Sequence, residues 1–278
     1  MDGIAPKTVE WATLLLCALL CADASTAASA RIGEATTLLT PGAALRCVQA
    51  DRSSAECDYR LTNPSEVREL SAHLGELALP VTDFLDFPQA GATAAVLFLV
   101  DTSDPNRSAA VRAGLQHIRQ MLDAGGPHHT FGIATFDSDL RVVAELGSSR
   151  SQLDAALASI RARGRTTEMY RNTQASVELL GDHNAERKKL VLLSDGLAED
   201  RAYFHEDVVA AALEAGVRID GLGYPRSASL AVALQTLRRL ADETGGTFVE
   251  GNRSYALTGE YLAAPFASLD HGGSFLVD

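Results

Sequence analysis

No block of five like charges and no internal repeat interrupts this 278-residue chain, and low complexity is confined to an alanine-rich start. The first absence removes an acidic or basic tail. Positive charge is also scarce, with 24 Lys and Arg against 36 Asp and Glu and a formal net charge of -12. Readers of phosphate backbones carry a basic stripe, so this balance speaks against a nucleic-acid partner. Ser103 and Ser194 lack the Gly-x-Ser-x-Gly elbow of a serine hydrolase. Gly221-Leu222-Gly223 lacks the third glycine of a dinucleotide fingerprint. There is no CxxC pair, which argues against a redox or zinc role for the cysteines.

What is present begins with Lys7 followed by the apolar run Trp11 to Ala22. That run is shorter than the ~20 residues of a spanning helix, so a membrane-integral role is not expected. Small-x-small triplets follow at Ala22-Asp23-Ala24 and Ala28-Ser29-Ala30. The pattern predicts a signal peptide over residues 1–30, cleaved after Ala24 or Ala30, and hence export. Cys47 and Cys57 then remain as an even pair in an oxidising compartment. Two short apolar segments flank the polar Asp51-Arg52-Ser53-Ser54. A turn there sets Cys47 opposite Cys57, which predicts a disulfide stapling a small hairpin. Residues 31–90 read as a small β-rich module and linker, with a helix opening at Asn63-Pro64 and running to about Glu76, and with Pro80, Pro88 and Gly91 marking the linker.

The chain's centre is the unbroken apolar run Ala94 to Val100, which ends in Asp101-Thr102-Ser103. A strand buried on both faces of a parallel sheet reads this way, and ligands bind at the edge where such strands stop. Leu190 to Leu193 ends similarly in Ser194-Asp195-Gly196, and Gly164 to Tyr170 places Thr166 and Thr167 before a helix. At these residues the chain resembles the von Willebrand factor A domain, whose metal-ion-dependent adhesion site is assembled from Asp-x-Ser-x-Ser, a distant Thr and a distant Asp-Gly. Asp101, Ser103, Thr167 and Asp195 fall on that pattern in order, while Pro105 stands where the second serine would be. The resemblance runs from about Ala94 to Gly251. It implies a Mg²⁺ or Mn²⁺ ion touched by Ser103 and Thr167, supported by Asp101 and Asp195, with one position open for a protein ligand's carboxylate. Thr166 is the alternative if the loop register slips by one. Pro105 removes one donor, and water can replace it because Mg²⁺ commonly keeps several waters. Asp104 reads either as a substitute ligand or as a helix cap.

Helical spacing recurs at Val111, Leu115, Ile118 and Leu122, at Leu153, Leu157 and Ile160, and at Leu230, Leu234, Leu237 and Leu240, with strand patterns between. Asp137-Ser138-Asp139 separates two strand patterns closely enough for a hairpin, which makes one of them an antiparallel edge. The fold class is therefore α/β: a doubly wound, mostly parallel sheet with one antiparallel edge strand and helices on both faces, plus the N-terminal β-rich module. The A domain is assigned to residues 91–252, followed by a C-terminal extension, 253–278. Its apolar run Ser274 to Val277 either completes the N-terminal module or belongs to a longer protein. His128-His129 beside a Gly-Gly-Pro turn reads as a solvated strand entry, since no third ligand has suitable spacing.

With no nucleophile, base and orienter set, the reading is a non-catalytic domain that binds another protein, through a divalent ion at the sheet edge. One alternative keeps the fold as a metal-independent interaction scaffold. Another class, a metal-assisted phosphohydrolase with Asp101 as nucleophile, wants a second acid at position 103, which is serine.

Overall fold

The computed structural model describes residues 35–278 apart from 41, 52, 62–70, 75, 90, 226–231 and 253. The expected signal and the start of the expected first helix lie outside the described residues. Strands β1 (Ala35–Thr40), β2 (Ala43–Gln49) and β3 (Ala55–Leu61) form an antiparallel meander. The β2–β3 register sets Cys47 opposite Cys57, and a disulfide joins them, as the hairpin pattern requires. Two expectations change next. In place of a helix reaching Glu76, β4 (Ala72–Leu74) pairs with β5 (Leu77–Leu79). The expected linker contains a further strand, β6 (Val81–Asp86). Three-residue strands are too short to show a period, and β6 is exposed at five of its six positions, so neither leaves hydrophobic alternation in the sequence.

The central sheet is built on β7 (Ala94–Asp101), buried at all eight positions. It is completed by β8 (His129–Phe136), β9 (Leu140–Ala144), β10 (Arg187–Ser194), β11 (Val217–Gly223) and β12 (Phe248–Glu250), in the order β12-β11-β10-β7-β8-β9. All pairings are parallel except that of the edge strand β9. Helices α1 (Ser108–Ala124), α2 (Arg150–Ser159), α3 (Met169–Gly181), α4 (His205–Ala215) and α5 (Leu234–Thr244) cover the two faces. Val96, Phe98 and Val100 pack with Leu115 and Ile118 of α1 and Leu157 of α2. The alternate residues Ala95, Leu97 and Leu99 pack with Val177, Leu180, Val208 and Leu237. Each large apolar side chain taken from water contributes about 1.5–3 kcal/mol, and that burial on both faces fixes β7 in the middle.

The chain closes through α6 (Gly259–Ala263), α7 (Ala267–Asp270) and β13 (Gly272–Val277). Strand β13 runs antiparallel between β3 and β6, giving a second sheet in the order β1-β2-β3-β13-β6. The closing apolar run therefore completes the N-terminal module. Among the described residues no helix is long and apolar enough to cross a membrane.

Candidate ligand-binding edge

Strands β7 and β10 lie side by side and stop together, which brings Asp101 and Asp195 to one edge. All four residues read from the motif are buried: Asp101 is 1% exposed, Ser103 3%, Thr167 4% and Asp195 2%. The Asp101 carboxylate accepts four hydrogen bonds. Ser103 donates to Oδ1 from its backbone N–H at 3.0 Å and its hydroxyl at 2.6 Å. Ser194 Oγ donates to Oδ2 at 2.7 Å, and Arg107 Nη1 donates to the same oxygen at 2.6 Å. Thr167 Oγ1 in turn donates to Ser103 Oγ at 2.7 Å, so the two hydroxyls form a relay that ends on Asp101. Asp195 Oδ1 accepts from Leu197 N–H at 3.1 Å.

Local sequence explains how each group is delivered. Gly196 adopts φ +80°, and a Cβ there would overlap the carbonyl oxygen of Ala233, so only glycine lets the chain turn directly after Asp195. A Cβ on Gly164 would overlap Cβ of Asp137 and crowd the Ser103 backbone, which sets how closely the threonine loop approaches. That loop is then clasped from the segment after β10: Glu199 Oε2 accepts from Thr167 N–H at 2.7 Å, and Glu199 N–H donates to Thr167 O at 2.8 Å. Asp200 accepts from Tyr170 N–H at 3.1 Å and Arg171 N–H at 2.9 Å. Those N–H groups open α3, so a sequence-distant acid caps this helix in place of a local residue. Thr166 is exposed, while Thr167 points inward, which fixes the loop register.

Arg107 is the residue that sequence reasoning missed. Asp104 accepts from Asn106 N–H at 2.8 Å and caps a single 3-10 turn, Pro105–Arg107. Asp104 is thus a cap by its geometry. Pro105, which offers no hydroxyl, opens the turn whose last residue sends its side chain under the site. The guanidinium is 5% exposed, bonded to Asp101, and its Nε lies 3.3 Å from Asp195 Oδ2 as an ion pair without hydrogen-bond geometry. One guanidinium against two carboxylates leaves the cluster with a single net negative charge.

The oxygen donors suit a hard divalent ion. Arg107 competes with it. A dication about 4 Å from a guanidinium meets a repulsion of about 8 kcal/mol at an effective dielectric of about 20, which offsets about half of the attraction of the two carboxylates. Both oxygens of Asp101 are already saturated, and a lone pair of Ser103 Oγ is taken by Thr167. In this arrangement Arg107 and the hydroxyl relay occupy the oxygens that a divalent metal would use.

A second group of metal-type side chains lies where β8 begins. His128 Nε2 is 2.8 Å and His129 Nε2 3.0 Å from Asp270 Oδ1. The sequence expectation of a solvated entry changes here, since His129 is only 9% exposed and its partner lies 141 positions further along the chain. His129 Nδ1 accepts the Gly126 N–H at 2.8 Å, which leaves the ring proton on Nε2, the atom a metal would need bare. The group is a clamp that ties α7 to β8. Burial pushes the Asp270 carboxyl up, and the adjoining His129 ring and the bond to His128 bring it below its usual range.

Residues 95–260 match the von Willebrand factor type A domain, more than half of the chain, and the protein belongs to that family. Its fold is a protein-interaction fold. Similar solved structures include the conserved hypothetical protein BatB from Bacteroides thetaiotaomicron, 15% identical, with 63% of this chain and 97% of that chain covered at a TM-score of 0.52. Another is a von Willebrand factor type A protein from Catenulispora acidiphila, 17% identical, with coverages of 78% and 45% at a TM-score of 0.50. Likeness at these identities is likeness of fold. No curated protein matches the chain.

Proposed function

We propose that this protein is an exported, non-catalytic interaction domain that engages a protein partner at the edge formed by Asp101, Ser103, Thr167 and Asp195, and that it does so without a divalent ion. The observation that carries the reading is Arg107, a tethered cation held between the two acids a metal would serve. Its charge organises Asp101, and through Asp101 the hydroxyl relay of Ser103 and Thr167, at every metal concentration. Around this rigid floor the rim offers apolar contact: Phe204 is 56% exposed, Tyr203 37% and Val232 72%. Val232 precedes Ala233, against which Gly196 packs, and Tyr203 and Phe204 end the loop that clasps Thr167. Exposed aromatic residues beside fixed polar groups are the composition of an interaction surface.

The metal-bridged reading keeps one observation in its favour, the bonded run of oxygen-bearing side chains Thr167, Ser103, Asp101 and Ser194. It requires Arg107 to leave. Capture of a partner's carboxylate depends on the ion and belongs to that reading alone. Titration calorimetry with Mg²⁺ and Mn²⁺ separates the two: no heat of binding at millimolar metal is expected for the natural chain. Partner capture from the exported fraction is expected to survive EDTA and to disappear in Phe204→Glu. Saturable Mn²⁺ binding by the natural chain would sink the metal-free half of the proposal, and capture indifferent to Phe204→Glu would sink the edge.

A further inference from the structure

Where the central strands begin, the molecule buries positive charge. Arg46 of β2, Arg60 of β3, Arg187 of β10 and Arg218 of β11 meet there, the last three only 4%, 1% and 7% exposed. Among the described residues the carboxylate bonded to this group is Asp58, which accepts from Arg60 Nε at 2.8 Å and lies 3.1 Å from Arg187 Nε. Asp220 faces Arg218, but Lys189 already holds it at 2.8 Å. Lys188, whose ammonium donates to Gly181 O, adds a further positive charge nearby.

The other bonds of the cluster run to carbonyls. Arg46 Nη2 donates to Glu214 O at 2.8 Å and Arg218 Nη1 to Gly245 O at 3.2 Å, at the C-terminal ends of α4 and α5. Helix C-termini carry partial negative charge, so these contacts help, but they neutralise no whole charge. Burial, and next the neighbouring Arg60, push Arg218 well below the usual arginine value and Arg46 in the same direction.

Two N–H groups are left over. Arg46 Nε and Arg60 Nη1 are shielded from solvent and have no acceptor among the described residues. A buried donor left so is costly, more when it is charged. Both arginines line a cavity of about 20 Å³ together with Thr37, Leu45, Arg218 and Thr244. A volume above about 10–15 Å³ admits one water-sized occupant.

We propose that this cavity is a site for a small monovalent anion of the halide class, accepting from Arg46 Nε and Arg60 Nη1, with Arg218 behind them. The anion joins strands of the N-terminal sheet to β11 and to the end of α4, so it acts as a clasp between the two parts of the molecule. The site is independent of the ligand-binding edge, which lies where the same strands stop.

The test uses the full chain in sodium bromide, sodium chloride or sodium gluconate at equal ionic strength. With bromide about a hundredfold above its dissociation constant, the unfolding midpoint is expected to rise by roughly 5–10 °C over gluconate. Arg46→Met is expected to lose the difference between the salts. Crystals of the natural chain soaked in bromide are expected to show an anomalous peak between Arg46 and Arg60, which keeps the test decisive should the variant fail to fold. Equal midpoints in bromide and gluconate overturn the proposal. So does a bromide-soaked crystal with no peak in the cavity, the result expected if water fills it.

Discussion

The two ends of the central sheet bury charge of opposite surplus. Where the strands stop, two carboxylates share one guanidinium. Where they begin, four guanidinium groups gather around one carboxylate. The difference follows from the winding. Crossover helices run opposite to the strands they connect, so helix N-termini arrive at one edge and helix C-termini at the other. Asp200 on the opening N–H groups of α3 and Arg46 on the closing carbonyl of α4 are the two halves of that polarity. A doubly wound sheet thus sorts acids and bases to opposite rims before any ligand is considered.

Four measurements break or sharpen the comparison, in falling order of expected size. Arg107→Ala strands two buried carboxylates and is expected to lower stability by about 3–5 kcal/mol in urea unfolding with EDTA present. Added Mn²⁺ is expected to restore part of that loss, since the variant presents the same oxygens without the guanidinium. Little loss in EDTA would mean that Arg107 is not the internal counterion.

Asp58→Asn tests the other rim and is expected to cost about 3 kcal/mol near neutral pH, again by leaving buried charge unpaired. Burial pushes the Asp58 carboxyl up, but Arg60 and Arg187 hold it below its usual range. A lowered folded value means that this contribution is complete above about pH 4 and is lost as pH falls through the folded value. Acid titration of unfolding free energy should show that loss in the natural chain and not in Asp58→Asn.

Replacing both Cys47 and Cys57 by alanine opens a loop with a sequence separation of 10 and is expected to cost about 2–3 kcal/mol by calorimetry. The loss should leave the ligand-binding edge untouched, since the disulfide lies in the N-terminal sheet. Phe204→Glu is the smallest in stability, within about 0.5 kcal/mol, because the ring is exposed. Its expected effect is on partner capture, and a larger loss of stability would show that the ring belongs to the fold.

Buried strands were the most legible part of the sequence. Ala94 to Val100 and Leu190 to Leu193 are covered on both faces, so they read as unbroken apolar runs, and their terminal acids meet as their pairing requires. Ser103 and Thr167 were picked out by the resemblance to the A-domain motif, and their hydroxyls are joined at 2.7 Å. Arg107 was not, since an arginine at the start of a helix reads as solvated, and only the turn begun by Pro105 aims it inward. Glu199 and Asp200 were equally hidden, because what they cap lies about 30 positions away. The strand β6 gave no signal for a different reason: its side chains are exposed on both faces, so it has no hydrophobic period.

Strand β13 has one more consequence. It lies between β3 and β6 and bonds to both, so the sheet that begins earliest in the chain is finished by residues 272–277. During synthesis the first module has an open seam until its final piece is made, and its assembly waits on the domain it precedes.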